Sequence, residues 1–137
     1  MKKSFIGISM ITIMLICLTG CGNGSTLKCT ATDGSENTIT ATLNGNKITK
    51  VVMEEKMVAD SEEEAQMGVD MYTGLFSSED DNGVVVSGKA DGKNFTMTMT
   101  MDVTKMSEDD LESYLGTKDL TKDAFVEAMK EKKLTCE

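Results

Sequence analysis

The stretch Thr38-Ile39-Thr40-Ala41-Thr42-Leu43-Asn44-Gly45 decides the fold class of this chain. Ile39, Ala41 and Leu43 alternate with Thr38, Thr40 and Thr42, the period-two pattern of a strand with one apolar and one wet face. Asn44-Gly45 is a hairpin dipeptide, because both residue types accept the positive φ of a tight primed turn. The chain therefore returns as a second strand from about Lys47 to Ala59, with Val51, Met53, Met57 and Ala59 on one side. Glu55 interrupts that side, which predicts a bulge or an early strand end.

The same reading extends outward. Leu27 to Asp33 forms a short first strand before a turn at Asp33-Gly34. Val84 to Ala90 and Asn94 to Val103 flank Asp91-Gly92, a second hairpin. In its second strand Phe95, Met97, Met99, Met101 and Val103 share one face, opposite Thr96, Thr98 and Thr100. Ser61-x-x-Glu64 is a capping box, opening a helix to about Phe76 whose apolar positions are Ala65, Val69, Tyr72, Leu75 and Phe76.

Two short helices follow. Ser107 caps one, with Met106 and Leu111 as a hydrophobic staple and Leu111, Tyr114 and Leu115 as its apolar face. Thr121 caps the other, stapled by Leu120 and Phe125, with Ala128 and Met129 inward and Lys130, Lys132 and Lys133 at its negative end. The order β-β-β-α-β-β-α-α predicts an α+β fold: a largely antiparallel five-stranded sheet with helices packed on one face. The Thr-rich face is left to water.

The amino end carries a different signal. Lys2 and Lys3 precede a fourteen-residue apolar run, Phe5 to Leu18. At helical rise it reaches about 21 Å, short of a bilayer core of roughly 30 Å. Residues 1–20 therefore read as an export signal rather than a membrane span. Leu18-Thr19-Gly20-Cys21 resembles the lipobox of bacterial lipoproteins, in which the cysteine thiol receives a diacylglyceryl group and becomes the mature N-terminus. Residues 21–26 then form a short tether, and 27–137 a single domain. The alternative for this end is plain secretion with a free Cys21.

The chain has 137 residues, four cysteines, and no histidine, arginine, tryptophan or proline. Cys17 leaves with the signal and Cys21 with the lipid, so Cys29 and Cys136 remain as a disulfide pair outside the cytoplasm. Two unpaired buried thiols are the alternative. A bridge would close a loop of 108 residues, for which chain entropy gives about 4.7 kcal/mol. Without Lys2 and Lys3 the chain carries twelve lysines against twenty-three acids, a net charge of −11. That balance excludes nucleic acid as a partner. The lack of histidine removes Ser-His and Cys-His catalysis.

Three candidate sites stand beside blander readings. Met97-x-Met99-x-Met101 offers soft thioethers for Cu(I), or else fills the core beneath the helices; exposure of the sulfurs separates the two. Glu79-Asp80-Asp81-Asn82-Gly83 fails as an EF-hand loop, since Ser78 and Lys89 occupy ligand positions, and reads as a solvated acidic turn. Paired carboxylates for glycoside chemistry are unremarkable in so acidic a chain, and few aromatics are free to form a sugar platform.

Leu27-Lys28-Cys29-Thr30, Lys47-Ile48-Thr49-Lys50-Val51 with Met53-Glu54, Asp91-Gly92-Lys93 and Leu134-Thr135-Cys136 together resemble the YehR-like family of small bacterial lipoproteins. The resemblance spans nearly all of Leu27 to Glu137 and implies an α+β fold with membrane attachment. The family's role is undefined, so only Cys21, as lipid acceptor, carries over. The expectation is a non-catalytic envelope binding module, held to the membrane through Cys21 on the extracytoplasmic side, with no cofactor. The alternative is a metal-handling lipoprotein, holding Cu(I) on the methionine strand or Ca²⁺ at the acidic turn. A two-lobed solute receptor does not fit one domain. Cells fed labelled palmitate should incorporate it into the wild-type chain and lose it in Cys21→Ser; label retained by the variant would move the anchor elsewhere.

Overall fold

The computed structural model describes residues 24–76 and 82–137. The export signal, Cys21 and the acids Glu79 to Asp81 lie outside the described residues. Alternation and turn residues generate β1 (Gly24–Ala31), β2 (Asn37–Asn44), β3 (Lys47–Val58), β4 (Val84–Asp91) and β5 (Asn94–Asp102). Three helices follow their caps: α1 (Glu62–Leu75), α2 (Glu108–Leu115) and α3 (Lys122–Glu131). Ser61 accepts a hydrogen bond from the Glu64 amide at 3.1 Å and Ser107 from that of Asp110 at 3.2 Å. Thr121 makes no side-chain cap.

With a last strand at Leu134–Cys136, β6, the sheet is fully antiparallel, in the order β4-β5-β3-β2-β1-β6. Among the described residues it has six strands where the sequence predicts five. The sixth, β6 (Leu134–Cys136), pairs with β1. Three residues are too few to show alternation, so the pairing with β1 alone makes them a strand. β1 also begins earlier than expected, at Gly24. Gly24, Ser25 and Thr26 pair with Asn44, Leu43 and Thr42, so half of the expected tether belongs to the sheet.

Glu55 causes neither a bulge nor a strand end. From Lys50 to Val58 β3 pairs with β5 in unbroken register, and Glu55 stands opposite Met97. The irregularity falls at Thr49, where Leu43 pairs with Ile48 but Thr42 with Lys50. The extra residue brings both Ile48 and Val51 inward, and both are buried.

The inward set, Leu27, Cys29, Ile39, Ala41, Leu43, Ile48, Val51 and Met101, lies on one face. α2 and α3 cover it with Leu111, Leu115, Phe125, Ala128 and Met129. The β2–β3 turn ties this cover down: Ile48 N–H donates to Leu120 C=O at 2.8 Å and Lys122 N–H to Asn46 C=O at 2.9 Å. α1 covers the other end of the same face, against β4 and β5. The approach is close at Gly88, where a Cβ would stand 2.7 Å from Met97 Sδ and 2.8 Å from Val69 Cγ1. Glycine is the residue that fits there.

Lys28 and Glu137 exchange both backbone hydrogen bonds at 2.9 Å. Their neighbours Cys29 and Cys136 are therefore a close, non-hydrogen-bonded pair, with Cα atoms 3.9 Å apart and sulfurs bonded. The pair locks β6 onto β1. The double replacement Cys29→Ala/Cys136→Ala should lower the unfolding free energy by about 2–5 kcal/mol in urea. A change below about 0.5 kcal/mol would show that the bridge contributes nothing.

Candidate functional site

Two separate helical covers on one face leave a gap between them. Across the gap runs a groove of about 370 Å³, within the usual range for small-ligand sites of about 300–1,000 Å³. Its floor is sheet: Ile39, Met53, Met99 and Val86 form one row across β2, β3, β5 and β4, since each pairs with the next. Met97 and Ala31 continue the floor one row toward the β1–β2 turn. Tyr72 of α1 and Phe76, the residue that caps its C-terminus, form one wall, and Leu134 with the Lys132 stem the other.

The mouth is polar. Asp33 and Ser35 from the β1–β2 connection and Asn37 at the start of β2 line it, together with Glu55. Strand alternation puts Glu55 on the helix-covered face beside Met53 and Met57. Among the described residues its carboxylate has no ion-pair or hydrogen-bond partner. Lys132 donates from Nζ to the Tyr114 carbonyl at 3.4 Å. The Asp33 carboxylate accepts from the Ser35 hydroxyl at 2.7 Å and the Ser35 amide at 3.0 Å.

Those two bonds, the hydroxyl first, hold Asp33 below the ordinary aspartate value of 3.8, with Lys133 adding a smaller attraction. Away from the groove, Asp102 is lowered by the Thr104 hydroxyl and Asp119 by the Thr121 amide. A general acid needs its pKa raised, and at the groove Asp33 is shifted the other way.

The three strand methionines part company here. Met101 is fully enclosed and Met97 is 7% exposed, while Met99 is half-buried and opens into the groove. Met101 belongs to the packed core, and Met97 packs against Val69 beneath α1. Met53, Tyr72 and Phe76 join the groove although their spacing in the sequence is that of core residues, since alternation and helical spacing give a residue's face but not what covers it. Among the aromatic residues described, Phe125 alone is fully buried.

No protein-family model matches the chain, and no curated protein does. An NMR structure of a protein from Streptococcus pneumoniae TIGR4 is similar in fold, with a TM-score of 0.53 and 13% identity over 100% of this chain and 99% of that one.

A depressed carboxylate contributes stability above its unfolded pKa near 3.8 and loses it as pH falls through the lower folded value. In a carboxyl NMR titration Asp33 should therefore show a midpoint below 3.8, and Ser35→Ala should raise it. An unmoved midpoint in the variant would remove the hydroxyl as the cause.

Proposed function

We propose that this chain is a YehR-like, lipid-anchored bacterial envelope protein that acts without catalysis, holding the apolar part of a partner in the groove between its helical covers. The observation that carries the reading is the open methionine and aromatic groove on an otherwise well-packed sheet face. Methionine suits such a surface because its unbranched, polarizable side chain re-packs around varied shapes. Asp33 presents a negative charge at the mouth, oriented by the Ser35 hydroxyl and amide.

Geometry supports a consistent orientation. β1 runs from Gly24, three residues after Cys21, to Ala31 at the groove. Eight residues of strand separate those ends by roughly 25 Å. An anchor on Cys21 thus puts the bilayer at the Gly24 end and turns the groove mouth, Asp33 to Asn37, away from it. The groove then meets the extracytoplasmic space, not the lipid beneath.

Methyl NMR on the methionines tests the site with its own control. A neutral apolar dye, Nile red, should shift the Met53 and Met99 methyl resonances saturably and leave Met101 and Met129 in place. Absence of any shift, or equal movement of all four, would end the groove's role.

A further inference from the structure

α1 carries two apolar stripes. One, Ala65 and Val69, is buried on β4 and β5. The other is Met67, Met71 and Leu75, spaced i, i+4, i+8, and these side chains are 66%, 57% and 70% exposed. The sequence places Leu75 inward; its position on this second flank leaves it in water. Tyr72 neighbours both Leu75 and Phe76 by helical spacing, and Tyr72 and Phe76 line the groove. The exposed stripe is thus the outward continuation of the groove wall.

Charge along α1 itself is of one sign. α1 holds Glu62, Glu63, Glu64 and Asp70 and no basic residue. Asp33, with Lys133 nearby, and Glu55 continue acidic positions at the groove mouth, and the facing side offers Lys132, already engaged with Tyr114. That distribution discriminates among occupants. A second copy would oppose one four-acid helix to another. A bilayer rich in anionic headgroups would repel it too. A segment with lysines or arginines beside an apolar stripe satisfies both the methionines and the acids.

From this we infer that the α1 flank and the adjoining groove dock a basic amphipathic helix of a partner protein. The inference rests on the groove being a binding site and adds the chemistry of what fills it. Apolar side chains of the partner enter between Tyr72, Phe76 and Met99, and its cations meet Glu63, Asp70 and Glu55. The exposed methionines on α1 adapt to the partner's exact shape.

Fluorescence anisotropy with the purified full chain tests it. The probe is a labelled eighteen-residue peptide with leucines at helical i, i+3, i+4, i+7 spacing and lysines elsewhere. It should bind saturably, one per chain, and at least tenfold more tightly than a peptide of equal composition with the leucines spread around the helix. Met71→Glu/Leu75→Glu, both at exposed positions, should weaken it at least tenfold, and Glu63→Lys/Asp70→Lys at least fivefold. Equal binding of the two peptides, or unchanged affinity in the Met71/Leu75 variant, would overturn the inference. Loss of peptide binding with Nile red still shifting Met53 and Met99 would sink the helix partner alone. Loss of both would sink the groove as well.

Discussion

The molecule is shaped by a mismatch of widths. Six strands at about 4.8 Å spacing make a sheet roughly 24 Å across, while a helix with its side chains covers about 10 Å. One face of that sheet is apolar from β1 to β5 and has to be covered. α1 reaches β4 and β5; α3 reaches β6 and β3, with α2 packed on α3. Two covers of that width do not close the face, and the strip left between them is the groove over Met53, Met99, Ile39 and Val86. The main core under α2 and α3 stays separate from the smaller packing of Ala65, Val69 and Met97 under α1.

The disulfide pair and the groove lie on the same row of the sheet. Cys136, Cys29, Ile39, Met53, Met99 and Val86 follow one another through successive pairings. Fastening β6 to β1 therefore also fixes Leu134, which contributes to the groove wall. Holding the last strand in place is a structural task with a consequence for the site. A covalent link suits it, because three residues of ladder hydrogen bonds at a sheet edge hold weakly on their own.

Electrostatics divide the surface in a similar way. The carboxylates with lowered pKa values, Asp33, Asp102 and Asp119, each accept from a hydroxyl or amide two residues on, and so stabilise turns. Glu62, Glu63 and Glu64 serve the helix dipole in the first turn of α1, yet Glu63, with Asp70, also borders an exposed apolar stripe. One set of residues thus answers a local need and gives the helix flank its charge.

Alternation at Thr38–Leu43 and Asn94–Val103, with Asn44-Gly45 and Asp91-Gly92, was enough to read an antiparallel sheet, and serine caps enough to place α1 and α2. Those signals are local: strand period, turn dihedrals and capping act within a few residues. Cys29 and Cys136 were legible as a pair by elimination. What no local signal carried was β6, whose three residues become a strand by pairing with β1, and the continuation of β3 through Glu55, which β5 holds in register. The groove belongs to the same class. Met53, Met99, Tyr72 and Phe76 have core-like spacing, and whether such a residue meets a neighbour or solvent depends on how far two helices packed from distant parts of the chain stand apart.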